Sequence, residues 1–282
     1  MTPAETADMT SRDRTRRTVL VTGAAGRVGR ALRPFLRRRY DLRLHDRVPV
    51  PDPAEGETVH VGDLADAAGF RDAAKGVDAV VHLAAVHGIG LRFADSLDAN
   101  FRGTMNVLDA VRSERIERLV YASSHHVHGL HPRDGFAGDD APLAPDAVYG
   151  LGKAYGEVAA TTYARRYDVR TLIVRIGNAD PTVTDDRTLR MWTSARDLAQ
   201  LVSIGLDAPD VRCDVVYGVS ACPRPLYRNL RATLLGYRPV DRAEDNLDPA
   251  FLAYDAMPPE LGRDWVGGAY AVSDLPAPEE DA

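Results

Sequence analysis

Three side chains near the middle of the sequence could together oxidise an alcohol. Tyr149 and Lys153 lie four residues apart, so a helix would place them on one face. A free tyrosine has a pKa of about 10 and is a poor base at neutral pH unless a positive charge stabilises the phenolate. Lys153 would supply such a charge, and Ser124, at the end of a predicted strand, would hydrogen-bond the reacting oxygen. We therefore predict that Ser124, Tyr149 and Lys153 are catalytic; the alternative is a half-buried tyrosine beside a lysine stem on apolar surface.

A glycine-rich segment near the start of the chain could hold a dinucleotide. Gly23, Gly26 and Gly29 lie between a predicted strand and a predicted helix. Glycine lets the backbone turn tightly and approach a pyrophosphate, and the helix N-terminus offers free N–H groups. Asp46 ends the next predicted strand, where a carboxylate would accept hydrogen bonds from ribose hydroxyls and repel a 2′-phosphate. The pattern predicts NAD, while Arg47 leaves NADP as the alternative.

Two further residues extend the predicted cofactor site. Asp63 and Leu64 follow the third predicted strand, where they would contact the adenine ring. Asp63 could instead cap the helix that follows it. With NAD bound, the positive nicotinamide ring would join Lys153 in lowering the pKa of Tyr149. The phenolate could then take the proton of a substrate hydroxyl while hydride leaves the same carbon for the nicotinamide.

The bulk properties exclude several classes of protein. The 282 residues carry a net charge of −6, which argues against a nucleic-acid partner because such proteins present a basic face. Two cysteines, Cys213 and Cys222, are too few for a disulfide framework. No apolar run approaches the roughly 18 residues that a membrane span needs, and the apolar stretch after Arg16-Arg17 is too short for an export signal. We therefore expect a cytoplasmic protein with neither a membrane nor a nucleic acid as partner.

The elements that must position these residues alternate along the chain. Short β-branched and apolar runs predict strands at residues 18–22, 42–45, 58–61, 79–83, 119–123, 170–176 and 214–217. A helical pattern follows Gly29 and runs to about residue 40, and further helical patterns occupy residues 65–75, 91–111, 148–167 and 194–206. This alternation predicts an α/β protein with a Rossmann-type, doubly wound parallel sheet covered by helices on both faces.

The pattern loosens in two places that are rich in proline and polar residues. Residues 178–190 and 221–282 are predicted to form a small discontinuous cap over the carboxyl ends of the strands, where ligands bind in such sheets. Residues 17–177 and 191–220 then form the NAD-binding Rossmann domain. Residues 1–16 are polar and are predicted to be a disordered extension.

A series of motifs runs through residues 18–220. It comprises Gly23-Ala24-Ala25-Gly26-Arg27-Val28-Gly29, Asp63-Leu64, His82-Leu83-Ala84-Ala85, Asn100-x-x-Gly103-Thr104-x-Asn106-Val107-Leu108, Ser123-Ser124, Tyr149-x-x-x-Lys153 and Arg175-Ile176-Gly177-Asn178. In this order the motifs resemble those of the extended short-chain dehydrogenase/reductase superfamily, also called the NAD-dependent epimerase/dehydratase family. The resemblance implies NAD as cofactor and a complete set of cofactor-binding residues: Gly23, Ala25, Gly26, Arg27, Val28, Gly29, Asp46, Arg47, Asp63, Leu64, Leu83, Ala84, Ala85, Asn100, Tyr149, Lys153 and Ile176.

Within that superfamily the chain is most similar to the uronate dehydrogenases, which oxidise C1 of galacturonate or glucuronate with NAD. The segments that carry this likeness are Tyr121-Ala122-Ser123-Ser124-His125-His126, Val148-Tyr149-Gly150-Leu151-Gly152-Lys153, Val174-Arg175-Ile176-Gly177, Tyr217-Gly218-Val219-Ser220 and Leu235-Gly236-Tyr237-Arg238-Pro239, with the spacing from Arg187 through Trp192 to Ser194. The resemblance implies that Arg187 holds the substrate carboxylate; the alternative is a surface arginine in a loop.

Three positions on the substrate side depart from the uronate dehydrogenase pattern. His87 and Asn178 each stand where that group has serine, and His125 stands where it has asparagine. The predicted substrate-binding residues are His87, Ser124, His125, His126, Asn178 and Arg187, and the ligand is a polyhydroxylated small molecule. A related sugar, a sugar phosphate or a cyclic polyol remains an alternative substrate.

Other functions also stay open. A nucleotide-sugar epimerase or dehydratase shares the family, but its dehydratases carry an acidic pair where this chain has His125 and His126. A regulatory protein that senses dinucleotides tends to lack the catalytic tyrosine or lysine. His128 and His131 complete a histidine cluster, yet no carboxylate or cysteine stands at ligand spacing, so we predict no metal site. The resemblance further implies a homo-oligomer built on the helices predicted at 91–111 and 148–167.

Overall fold

The computed structural model describes residues 16–136 and 138–277, and its centre is a parallel sheet of seven strands. In chain order the strands are β1 (Thr18–Thr22), β2 (Asp41–Asp46), β3 (Glu57–Val61), β4 (Ala79–His82), β5 (Arg118–Ser124), β6 (Arg170–Ile176), β7 (Val183–Asp185), β8 (Cys213–Gly218) and β9 (Leu247–Leu252). The sheet has the order β3-β2-β1-β4-β5-β6-β8, and β7 pairs with β9 separately. The predicted doubly wound parallel sheet is therefore confirmed.

Helices cover both faces of this sheet. They are α1 (Arg27–Leu36), α2 (Ala67–Ala74), α3 (Phe93–Ser96), α4 (Gly103–Ser113), α5 (Val148–Tyr167), α6 (Asp186–Leu189), α7 (Ala195–Asp207), α8 (Leu230–Leu234) and α9 (Ala269–Val272). One apolar core forms where α1 and α7 pack on the sheet, and a second forms where α2, α4 and α5 pack on the opposite face. Strands β4 and β5 are buried along their whole length, which explains why their sequences are continuous apolar runs without alternation.

The prediction of one continuous helix over residues 91–111 is wrong. The segment forms α3, then a π-helical stretch at Leu97–Arg102, and then α4. A π-helical turn is wider than an α-helical turn and often occurs at functional sites. Here it carries Asn100, whose side chain hydrogen-bonds the backbone of Val86 in the segment after β4. The first helix also ends at Leu36, earlier than the predicted boundary at residue 40.

The two looser segments lie together in the structure. Strand β7, from the first segment, pairs in parallel with β9, from the second. Val183 and Ala243 are buried against Trp192 in a small apolar cluster. This packing agrees with the predicted cap, and the division into domains stays a prediction. The last five residues of the predicted cap lie outside the described part of the chain. Residues 1–15 of the predicted extension lie outside it as well, and Arg16 donates a 2.7 Å hydrogen bond to the Tyr40 carbonyl.

Among the residues that the structure describes, no helix combines the length and the apolar character needed to cross a membrane.

Candidate active site

A cavity of about 880 Å³ opens at the carboxyl ends of the sheet strands. It runs from the glycine-rich loop after β1 to the first turns of α5 and to the segments after β6. All but one of the predicted site residues line it: Gly23, Ala25, Gly26, Arg27, Val28, Gly29, Asp46, Arg47, Asp63, Leu64, Leu83, Ala84, Ala85, His87, Ser124, His125, His126, Tyr149, Lys153, Ile176, Asn178 and Arg187. The tertiary fold thus gathers residues from most of the chain into one cleft.

The glycine-rich loop leaves no room for side chains at two of its positions. Gly23 has a φ of +70°, and a Cβ there would lie 2.7 Å from the backbone nitrogen of Ala84. A Cβ at Gly29 would overlap the carbonyl oxygen of Gly23. Gly26 precedes α1 with extended backbone, and no side chain caps the helix. The first N–H groups of α1 are therefore free to bind an anion such as a pyrophosphate.

Asp46 is held rigidly at the end of β2. Its Oδ2 accepts a 2.9 Å hydrogen bond from the backbone N–H of Ala25, and its Oδ1 accepts one of 3.3 Å from Val48. The carboxylate therefore stands beside the glycine-rich loop, next to Arg47, on the cleft wall. This arrangement suits an acceptor for ribose hydroxyls and places negative charge where a 2′-phosphate would have to lie.

Asp63 and Asn100 are both predicted to bind the cofactor, but only Asp63 lines the cleft. Asp63 lines the cleft and accepts a 2.8 Å hydrogen bond from the N–H of Ala65. The residue that caps α2 is Asp66, so the alternative interpretation of Asp63 as that cap is wrong. Asn100 is buried outside the cavity lining, with 2.9 Å hydrogen bonds to both the N–H and the carbonyl of Val86. Its contribution is to fix the cleft wall after β4.

The predicted catalytic residues meet between β5 and α5. Ser124 ends β5, while Tyr149 and Lys153 lie in the first two turns of α5. Burial raises the pKa of Tyr149 to about 12, and a hydrogen bond between its hydroxyl and that of Ser124 lowers it in part. The predicted lowering of this pKa involves Lys153 together with the positive nicotinamide ring of bound NAD, and it stays a prediction.

Lys153 itself is held by the backbone. Its ammonium group donates a 2.7 Å hydrogen bond to the carbonyl of Ala122 and lies 5.8 Å from the centre of the Tyr149 ring. Burial lowers the pKa of Lys153 to about 8, an effect that the nearby Glu157 carboxylate opposes. Glu157 in turn binds Arg175 at 2.8 Å and accepts a 2.5 Å hydrogen bond from Ser123. This buried network fixes α5 against β5 and β6 behind the predicted catalytic residues.

The far end of the cleft carries the predicted substrate residues. The His125 and His126 rings are tilted against each other by 34° with centroids 4.1 Å apart, and the His87 ring lies 5.9 Å from the Tyr149 ring. Asn178 turns its amide toward Asp180, at 2.9 Å, and Asp180 also forms an ion pair with Arg27 of the glycine-rich loop. The cap and the cofactor loop are thus connected across the mouth of the cleft.

Arg187 places a positively charged side chain at the predicted substrate end of the cleft. One of its nitrogens donates a 3.2 Å hydrogen bond to the Val266 carbonyl, and its Nε is buried without a partner. Burial lowers its pKa, although the nearby Asp185 and Asp146 oppose the shift. No carboxylate of the described residues forms an ion pair with it. A guanidinium placed in this way can bind a carboxylate or phosphate of a ligand.

Sequence reasoning missed two residues of the site. Asp146 lies under the cleft with its side chain fully buried, and one of its oxygens lies 2.6 Å from Nδ1 of His126. Tyr270 lines the cleft with its ring 4.3 Å from that of His126. Asp146 could have been suspected because it stands three residues before Tyr149, next to the start of α5. Tyr270 carries no such signal, since it reaches the site from a distant part of the sequence.

The histidines that suggested a metal have other partners. His126 binds Asp146, His125 lies 3.3 Å from the Ile176 carbonyl, and His131 lies 2.7 Å from the Pro142 carbonyl. His128 contacts Arg175 behind the cleft. Across the described ranges, no group of three or more histidine, cysteine or acidic side chains converges as metal ligands would.

The chain is similar to a known protein family and to several known enzymes. The model of the NAD dependent epimerase/dehydratase family matches residues 19–180. A uronate dehydrogenase from Pseudomonas putida is 37% identical over 90% of this chain and 96% of its own length. An NAD-dependent glucose-6-phosphate dehydrogenase from Haloferax volcanii is 34% identical, covering 80% and 94%. A crystal structure of a uronate dehydrogenase mutant from Agrobacterium tumefaciens, complexed with NAD, superposes with a TM-score of 0.84 at 31% identity, covering 92% and 98%.

Proposed function

The chain belongs to the NAD-dependent epimerase/dehydratase family, and we propose that it is an NAD-dependent dehydrogenase that oxidises a hydroxyl of a sugar acid. The observation that carries this proposal is one cleft that holds the glycine-rich loop, the Tyr149–Lys153 pair and the unpaired Arg187. These are the three parts that such a reaction needs: a dinucleotide site, a base and an anchor for a carboxylate.

The residues of the cleft fit the cofactor. The free N–H groups at the start of α1 would hold the pyrophosphate, and Gly23 and Gly29 let the backbone approach it closely. Asp46 would accept hydrogen bonds from the ribose and so select NAD over NADP. Bound NAD supplies the hydride acceptor.

Protein side chains bind the alcohol and accept its proton. Ser124 and Tyr149 hold the oxygen of the alcohol, and Tyr149 accepts its proton as hydride leaves the same carbon. Because the buried Tyr149 has a pKa raised to about 12, positive charge close by would be needed for its phenolate to form near neutral pH. Lys153, fixed by Ala122, stands on the same face of α5 and supplies part of that charge.

Arg187 would select an anionic substrate. A buried guanidinium without a carboxylate partner can form two parallel hydrogen bonds with the carboxylate of a uronate. The uronate dehydrogenases among the relatives support this substrate class. His87 and His125 on the same wall, together with the glucose-6-phosphate dehydrogenase of Haloferax volcanii, favour a sugar phosphate as the second candidate.

A substrate panel tests the proposal. Galacturonate, glucuronate, glucose, glucose 6-phosphate and a cyclitol are each incubated with the enzyme and NAD, and NADH absorbance is followed. Glucuronate and glucose form a matched pair that differs in the carboxylate, so we expect glucuronate to react much faster. Turnover of a nucleotide sugar without net NADH would identify an epimerase instead. Tyr149→Phe should abolish the activity found while NAD affinity stays nearly unchanged.

We also propose that the enzyme is cytoplasmic and acts as a homo-oligomer. On α5, Leu151 and Val158 expose 52% and 61% of their surface, and such apolar side chains on a long helix support an interface with a second copy. Light scattering of the purified protein measures the oligomeric state. A monomer at working concentration would contradict this part of the proposal.

A further inference from the structure

Three glycines leave room for the side chain of Asp146 below the cleft. Its side chain is fully buried, and one oxygen lies 2.6 Å from Nδ1 of His126. A Cβ at Gly129 or at Gly267 would overlap this carboxylate, and one at Gly150 would come within 3.0 Å of its other oxygen. Three separate segments therefore leave out side chains around a single acidic group. This close packing of glycine backbone around the carboxylate holds it in one position beside His126.

His126 connects this carboxylate to the cleft. It lies in the short 3-10 helix His125–His128 directly after β5, and its ring lines the cavity. The ring packs 4.3 Å from Tyr270 and 5.5 Å from the ring of Tyr149. Since Asp146 occupies Nδ1, and no described residue hydrogen-bonds Nε2, the second ring nitrogen is the one that can meet a ligand.

The surroundings decide the charge of this ring. His125, His87, Arg187, Tyr149 and Tyr270 face it from the elements packed around it. Burial, followed by the positive charge of Arg187, lowers the pKa of His126 to about 3, while burial raises the pKa of Asp146 to about 7. The two groups share a hydrogen bond, so they take up protons as a pair. With one proton on the pair, that proton lies on Nδ1 between ring and carboxylate, and Nε2 carries a lone pair.

We infer that Asp146 is a positioning residue: it holds His126 in the tautomer protonated on Nδ1, so that Nε2 accepts a hydrogen bond from a substrate hydroxyl beside Tyr149. The identity of the ligand rests on the proposed function, whereas the tautomer does not. Once the pair gains a second proton, Nε2 becomes a donor and this contact is lost. Substrate binding through His126 therefore weakens as the pH falls below neutral.

The tautomer can be measured without any substrate. Long-range proton–nitrogen correlation spectra of the NAD-bound enzyme, labelled at the histidine ring nitrogens, distinguish the two neutral forms, and His126→Gln assigns the signal. Above neutral pH we expect protonation on Nδ1, with one transition near neutral pH. In Asp146→Asn the form protonated on Nε2 should become populated and the transition should disappear. A wild-type His126 ring protonated on Nε2 at alkaline pH would overturn the inference.

Kinetics of the active enzyme give an independent test. Asp146→Asn should lower kcat/KM by on the order of 10- to 100-fold, as loss of an orienting partner does. In a His126→Gln background the same change should cost nothing further, because Asp146 acts through His126. The matched control is Asp214→Asn, which removes a largely buried carboxylate paired with Arg231 away from the cleft. A full loss in the His126→Gln background would contradict the inference, whereas a wild type without activity on any sugar would contradict only the proposed function.

Discussion

The ammonium group of Lys153 donates its hydrogen bond to the carbonyl of Ala122, at 2.7 Å, and faces the Tyr149 ring from 5.8 Å. The lysine is thus fixed by β5, and we propose that it acts on the tyrosine through its charge rather than through a direct hydrogen bond. Electrostatic stabilisation of this kind depends on the protonation state of both groups and therefore on pH.

Lys153→Met should shift the pH profile of the oxidation to higher pH. Burial raises the pKa of Tyr149, and the positive charge of bound NAD should lower it again, so the rate of the wild type should rise with pH as the phenolate forms. Lys153, with its pKa lowered to about 8, is charged below that pH and favours the phenolate there. Without Lys153, kcat/KM at saturating NAD should begin to rise only at a higher pH. Lys75→Met, a change of the other lysine of the chain on an exposed surface, should leave the profile in place.

Asp46→Asn should weaken the preference for NAD over NADP by about tenfold or more, because it removes the negative charge that repels a 2′-phosphate. The ratio of kcat/KM for the two cofactors measures this preference. Asp41→Asn, at the opposite end of β2, is the matched control and should not change the ratio. An unchanged ratio in Asp46→Asn would show that another group, such as Arg47, decides the choice.

Arg187→Met should lower kcat/KM for glucuronate on the order of 100-fold, because a buried carboxylate would lose its charged partner. Activity on glucose, which lacks the carboxylate, should change little. Arg190→Met removes a neighbouring guanidinium that binds the Arg224 carbonyl, and we expect it to leave both activities near their original values. Equal losses on glucuronate and glucose in Arg187→Met would mean that Arg187 supports the cap rather than the substrate.

Gly156→Ala should destabilise the protein by about 1–3 kcal/mol, the usual cost of an overpacked core. A Cβ at this position of α5 would overlap the hydroxyl of the buried Tyr121 on β5. Because α5 carries the proposed catalytic pair, the displacement should also reduce turnover. Urea unfolding measures the free energy, and Arg165→Ala, a change at an exposed position of the same helix, should stay within about 0.5 kcal/mol of the wild type. A Gly156→Ala protein as stable as the wild type would show that the helix can shift freely.

Much of the fold could be predicted because its signals are local. Helix α5 and strands β1 and β6 have the bounds expected from the sequence, since apolar periodicity and flanking polar residues determine such elements within a few positions. The helix predicted over residues 91–111 failed for a physical reason. Asn100 must reach the backbone of Val86, and this long-range contact accompanies the π-helical stretch that interrupts the helical pattern.

The residue types available for chemistry can be read from the amino-acid sequence: a glycine-rich loop, an acidic residue after the second strand, and a tyrosine and a lysine one helical turn apart. How these groups behave depends on the folded protein. It buried Tyr149 so that its pKa rises, directed Lys153 to the Ala122 carbonyl, and brought Asp146 under His126 with Tyr270 above it. Charge and hydrogen bonding at a site depend on burial and on neighbours from distant segments, and neither property is a function of local sequence.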